Sequence, residues 1–175
     1  MKAIFFDRDG VVNHLVKRND GSLTSPWSLD EFKYISGIKT FANLVKILGY
    51  KTYVVTNQPG VSDNDMTLFD LLEISYKVKN DLCLDRILCS TDRKSNWYKP
   101  KNGMIEDIIK MDDIDRSHSF LIGDRWKDVV PAIDSGLISI YFGKDYQVPY
   151  EYRKYQPDFS ITKLYDFYEI IKGKQ

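Results

Sequence analysis

Asp7 and Asp9, one residue apart, stand directly after the apolar run Ala3-Ile4-Phe5-Phe6 and directly before Gly10. A carboxylate pair of this kind supports two chemistries. It can hold a hard divalent cation through oxygen, and it can divide covalent catalysis between a nucleophile, Asp7, and a general acid and base, Asp9. Alone, however, Asp-x-Asp-Gly is also a common polar turn at a strand end. Other polar groups follow in order: Thr56-Asn57, Tyr98-Lys99-Pro100, and Gly123-Asp124-Arg125-Trp126-Lys127-Asp128. Singly they too have ordinary readings. Thr56-Asn57 is a strand end, Lys99 a solvated side chain, Asp124 a helix N-cap and Asp128 a first-turn acid favoured by the helix dipole.

The elements that must position these groups alternate. Ala3 to Phe6 reads as a strand buried on both faces of a parallel sheet. Residues 11–36 lack periodicity and read as a hairpin-like flap and loop. Ile38, Phe41, Leu44, Val45 and Leu48 fall at helical spacing, with Gly49 as C-terminal cap, and 51–56 reads as a second strand. Thr67 and Asp70 form a capping box for a helix to about Leu82, whose predicted apolar face is Leu68, Leu71, Leu72, Tyr76 and Val78.

A third strand spans 86–90, and a helix carries Met104, Ile105, Ile108 and Ile109. A fourth strand spans 119–122, a fourth helix 128–135 and a fifth strand 137–142. The alternation predicts an α/β fold, a doubly wound parallel sheet with right-handed crossovers, in which ligands bind at the strands' carboxyl ends. Beyond Gly143, Tyr146, Tyr150, Tyr152 and Tyr155 read as a loop packed back onto the body. A short edge strand at 159–161 and a closing helix at 163–171 follow.

Composition narrows the function classes. The 175 residues fit one domain, 1–175, large enough to bury a single core. Lysine plus arginine and aspartate plus glutamate number 25 each, so no global field recruits nucleic acid or an anionic membrane. No apolar run reaches the roughly 18 residues of a membrane span, and no signal peptide precedes the first strand; a cytoplasmic location is the expectation. Cys83 and Cys89 form no Cys-x-x-Cys pair and lie near no histidine, which argues against a disulfide framework or a four-ligand zinc site.

Taken together, the stretches Asp7 to Asn13, Thr56 to Val61, Lys99 to Met104 and Gly123 to Asp128 resemble, in order and spacing, the four motifs of the haloacid dehalogenase superfamily of phosphatases. Within it they are similar to the branch containing D-glycero-D-manno-heptose 1,7-bisphosphate phosphatases and histidinol-phosphate phosphatases. The resemblance runs from Lys2 to about Phe142. It implies that Asp7 attacks phosphorus, that Asp9 protonates the leaving oxygen and later activates water, and that Thr56 bonds the phosphoryl oxygens. Lys99 then offsets the charge on Asp7 and the phosphate. It further implies a magnesium ion held by Asp7, the backbone carbonyl of Asp9 and Asp124, with Asp128 orienting Lys99 or a metal-bound water. Asn57, Tyr98 and Arg125 are the candidates for substrate contact.

The chain departs from that branch in two places. Its members usually carry a zinc loop of three cysteines and a histidine before the lysine; here only Cys89 stands in that region. They usually have arginine immediately before the lysine; here it is Tyr98, which leaves Arg93, Lys94 or Lys101 as candidates for a distal phosphate. Residues 11–36 are too few for a cap domain, so an open site is expected, roofed by the flap and loops bearing Trp27, Trp97 and Trp126.

The leading expectation is a magnesium-dependent phosphatase for a small phosphorylated sugar. Histidinol phosphate or another small molecule, which would want an acid such as Asp30 or Asp63 for the substrate's ammonium, is the alternative. Less favoured are a nucleic-acid 3'-phosphatase and a non-catalytic binding domain, the latter because Asp7, Asp9 and Lys99 are all present.

Overall fold

The structure, a computed structural model, describes residues 1–173. Ala3–Phe6 forms β1, and all its residues are buried. Successive side chains leave a strand on opposite faces: Ile4 and Phe6 enter one core, Ala3 and Phe5 the other. The chain then makes a small antiparallel hairpin, β2 (Val16–Lys17) with β3 (Leu23–Thr24), which is the flap expected from the sequence. Arg18 pins it down, donating to both carboxylate oxygens of Glu31 at 2.6 and 2.9 Å while its guanidinium lies over the Trp27 ring. The described residues contain no separate cap domain, and no helix among them is long and apolar enough to cross a membrane.

The remaining elements alternate: α1 (Ile38–Ile47), β4 (Lys51–Asn57), α2 (Leu68–Asp81), β5 (Arg86–Ser90), α3 (Gly103–Asp112), β6 (Phe120–Gly123), α4 (Trp126–Asp134), β7 (Ile138–Phe142), β8 (Phe159–Ile161) and α5 (Leu164–Lys172). Six strands form one parallel sheet in the order β5-β4-β1-β6-β7-β8. Helices α1, α2 and α5 cover one face, and α3 and α4 the other, so the doubly wound expectation holds. From β1 the chain runs outward through β4 and β5, then returns to β6 and runs the other way. The switch point therefore lies between β1 and β6, and a crevice opens there at their carboxyl ends.

Two sequence expectations need correction. In α2 the buried positions are Leu71, Ile74, Ser75 and Val78, whereas Leu68, Leu72 and Tyr76 stand more than half exposed beside Phe69. Both sets recur at helical spacing on adjoining faces, and apolarity alone does not tell which face meets the sheet. Helix α4 begins at Trp126, two residues before the predicted Asp128, because the Asp128 carboxylate accepts the Arg125 N–H at 3.2 Å and draws the first turn back onto itself. The tyrosine-rich segment does pack back onto the body. Tyr152 stacks on Trp126 with ring centroids 4.5 Å apart, and the Tyr155 hydroxyl donates to Asp134 at 2.9 Å.

Candidate active site

Asp7 leaves the carboxyl end of β1 with its N–H bonded to the carbonyl of Ile122 on β6 at 2.9 Å, so the sheet itself aims the side chain. Opposite it lies Lys99, buried, whose Nζ donates to Asp7 Oδ1 at 2.7 Å and to Asp128 Oδ1 at 2.5 Å. The lysine comes from the loop after β5 and would wander without a tether. Asn57, at the end of β4, supplies one: it accepts the Lys99 N–H and donates to the Lys99 carbonyl, each at 2.9 Å. Asn57 therefore positions Lys99 as well as facing the cavity where substrate contact was expected.

Two glycines allow the carboxylates to converge. Gly10 has φ +92°, and a Cβ there would stand 2.2 Å from an Asp124 oxygen; a Cβ on Gly123 would stand 2.1 Å from that of Asp128. Any side chain at either position would force the acids apart. Carboxylate oxygens of Asp7, Asp124 and Asp128 lie within 4.8 Å of one another.

That convergence is electrostatically costly. Burial, then the Asp128 carboxylate, with Asp124 and Asp9 adding, pushes Asp7 up to about 8 against the pull of Lys99. Burial and the Asp128 charge likewise push Asp124 up to about 7. Burial works against the Lys99 charge, but the Asp128 and Asp7 carboxylates outweigh it and raise its pKa. One lysine does not neutralise this cluster. Asp124 Oδ1 is also buried without a hydrogen-bond partner. Crowded, raised carboxylates with an unclaimed oxygen are what a hard divalent cation would satisfy, and the donors are all oxygen.

The Asp9 side chain turns elsewhere. Arg8, completely buried, sets its guanidinium on it with Nη2 3.0 Å from Oδ1. Asn13 donates to Oδ1 at 2.9 Å, and Ser25 and Gln58 donate to Oδ2 at 2.9 and 2.6 Å. Burial raises the pKa of Asp9, but Arg8 and these donors more than compensate and hold it below the usual carboxylate range. Gln58 also accepts from Arg8 at 2.8 Å and donates to the Thr56 hydroxyl at 2.9 Å. Thr56 is fully buried at the end of β4, and its hydroxyl accepts from Gln58 in the Asp9 network.

In front of Asp7 and Asp9 opens a cavity of about 290 Å³, walled by the flap and by Trp27, Asn57, Tyr98 and Arg125. Tyr98 and Arg125 thus stand where substrate contact was expected. Of the tryptophans expected to roof the site, only Trp27 lines this cavity. Trp97 is drawn to α3 by its indole N–H bond to Asp107 at 2.8 Å, and Trp126 by its stack on Tyr152. Among the candidate distal cations, Arg93 lines the cavity, whereas the Lys101 ammonium is spent on the carbonyls of Lys94 and Ser95. Sequence reasoning assigned no role to Arg8, Asn13, Ser25, Gln58 or Lys127. Arg8 had a usable signal: an arginine just past a buried apolar strand is carried into the interior with it, where a charge needs a partner, and the neighbouring Asp9 carboxylate is the one it takes.

A doubly wound sheet that delivers a lysine-bridged aspartate, a second aspartate two residues on and an acidic cluster at its switch point defines a hydrolase site of the haloacid dehalogenase kind. The HAD-hydrolase-like family model matches residues 96–167. The chain is 30% identical to the D-glycero-alpha-D-manno-heptose-1,7-bisphosphate 7-phosphatase of Burkholderia mallei, over 78% of this chain and 76% of that one. It is 28% identical to the D-glycero-beta-D-manno-heptose-1,7-bisphosphate 7-phosphatase of Pasteurella multocida, over 98% and 97%. The fold superposes on a crystal structure of the D,D-heptose 1,7-bisphosphate phosphatase of B. bronchiseptica complexed with magnesium and phosphate, with a TM-score of 0.80, 23% identity and full coverage of both chains. This chain belongs to the haloacid dehalogenase superfamily and is one of its phosphoric monoester hydrolases.

Proposed function

We propose that the chain removes one phosphate from a heptose 1,7-bisphosphate, or a closely similar sugar phosphate, with magnesium bound and through an aspartyl phosphate on Asp7. The observation that carries this is Lys99 bridging Asp7 and Asp128 at the switch point. The names of the relatives that match along most of the chain support the sugar. Asp7, Asp124 and the backbone of Asp9 would hold the magnesium ion, with Asp128 beside them. Its charge would lower the repulsion between Asp7 and an anionic phosphate.

The chain's own residues account for the remaining steps. Lys99 aims Asp7 and pulls it toward its ionised form, which a bound cation would complete, and the Asp7 oxygen forms a bond to phosphorus as the ester P–O bond breaks. The leaving oxygen takes a proton from Asp9. In the free site Asp9 is a carboxylate, so that proton is taken up as the anionic substrate, which favours the neutral acid, comes in. Asp9 then removes a proton from water as it attacks phosphorus, releasing inorganic phosphate and restoring Asp7. Arg8, Asn13, Ser25 and Gln58 hold Asp9 in place for both transfers.

The test is release of inorganic phosphate, with magnesium present, from a panel of heptose 1,7-bisphosphate, sugar monophosphates, histidinol phosphate and 3'-phosphorylated oligonucleotides. Highest kcat/KM on the heptose bisphosphate is the expected result. Preference for histidinol phosphate or the oligonucleotide would replace the sugar assignment.

A further inference from the structure

Four cationic side chains, Arg93, Lys99, Arg125 and Lys127, line the cavity among the carboxylates of Asp7, Asp9, Asp63, Asp65 and Asp128. Lys99 is committed to Asp7 and Asp128, and Arg125 lies beside Asp124 at 3.8 Å. Arg93 and Lys127 face the same cavity and have no part in the chemistry described above. Lys127 is a cation on that wall with no salt-bridge partner among the described residues, and a second anion on the substrate would supply one.

Arg93 is built differently from Lys127. Both of its terminal nitrogens donate to Asp63, Nη1 to Oδ1 at 2.5 Å and Nη2 to Oδ2 at 2.6 Å, and both residues line the cavity. A phosphate offers the same planar two-oxygen face as a carboxylate. The Arg93 fork is also more than half exposed and is carried on the loop after β5, so it can exchange one partner for the other. Asp63 comes from a different loop, that after β4.

We infer that Arg93, with Lys127 beside it, is the specificity determinant for a second phosphate on the substrate, and that Asp63 occupies the Arg93 fork until that phosphate displaces it. The inference rests on the proposed phosphatase function and extends it to the non-reacting end of the substrate. It assigns the distal grip to position 93, where the preceding residue of the lysine motif, Tyr98, offers no positive charge.

Steady-state kinetics on heptose 1,7-bisphosphate and on the monophosphate lacking the distal group test it, using wild type, Arg93→Met and Asp63→Asn. Arg93→Met should raise KM for the bisphosphate about 10- to 100-fold, the loss expected for a charge-assisted bidentate contact, with kcat within about twofold and the monophosphate unaffected. Asp63→Asn should act in the opposite direction, lowering KM for the bisphosphate about two- to fivefold, because the competing carboxylate is gone. A purely structural Arg93–Asp63 bridge predicts something else: both variants would lose activity together, on both substrates. That pattern, or an Arg93→Met enzyme indistinguishable from wild type on the bisphosphate, overturns the role of Arg93 and leaves the phosphatase function standing. Wild type that hydrolyses neither compound overturns the proposed substrate, and this inference with it.

Discussion

Arg8 and Asp9 are adjacent in sequence and joined through their side chains: the Arg8 guanidinium reaches both Asp9 oxygens, at 3.0 and 3.2 Å from one nitrogen. Arg8 is completely buried and Asp9 nearly so. A charge pair with so little water around it is costly to break, because removing one partner strands the other. Arg8→Met should therefore cost about 3–5 kcal/mol of stability and lower kcat/KM as Asp9 loses its hold. Arg8→Lys keeps the charge without the fork and should fall between. Calorimetry with phosphate-release kinetics checks this; an Arg8→Met protein as stable as wild type would refute the pairing's importance.

Asp7→Asn should abolish turnover, by about 10³-fold or more, because an amide cannot form the acyl phosphate. The fold should survive, since the amide matches the carboxylate in shape. In the presence of chelator the variant should even melt higher than wild type, for it removes one of the mutually repelling acids around Asp124 and Asp128. Undiminished phosphate release would end the case for Asp7 as nucleophile.

Removal of divalent ions with EDTA should stop turnover, and magnesium should restore it. Turnover should be insensitive to a zinc-selective chelator, since the convergent donors are carboxylates and Cys89 faces Ser75, 3.7 Å away. Magnesium should also raise the melting temperature, by an amount equivalent to about 2.7 kcal/mol at a hundred times Kd. A stoichiometric zinc found by elemental analysis, or full activity without any divalent ion, would contradict the oxygen-ligand site.

Stability should depend on pH in a direction that magnesium alters. Asp7 and Asp124 are raised from an ordinary value of 3.8 to about 8 and about 7, so between those limits the folded protein binds more protons than the unfolded chain. Stability from these groups is present below pH 4 and is lost as pH rises toward 8. With chelator present, the melting temperature should fall across pH 5 to 8, and saturating magnesium should flatten that fall. An identical slope with and without magnesium would show that the ion does not bind at these carboxylates.

The sequence by itself determined the framework. An unbroken apolar strand followed by Asp-x-Asp-Gly, alternating with helical stripes, could be accommodated only in a sheet covered on both faces, with the acids at its carboxyl edge. Local patterning also carried the capping box of Thr67 and Asp70 and the return of the tyrosine-rich segment onto the body. What patterning could not reach were contacts between residues far apart in the chain. Whether Leu71 or Leu72 meets the sheet depends on the angle at which α2 lies, and the indole of Trp97 on whether Asp107 comes within reach. That Asn57 would clamp Lys99, that Gln58 would join Arg8 to Asp9, and that Asp63 would close on Arg93 depends on how the loops after β4 and β5 meet. Periodicity reports which side of an element is apolar, but hydrogen-bond partners are chosen by three-dimensional approach, and only the folded chain brings those residues together.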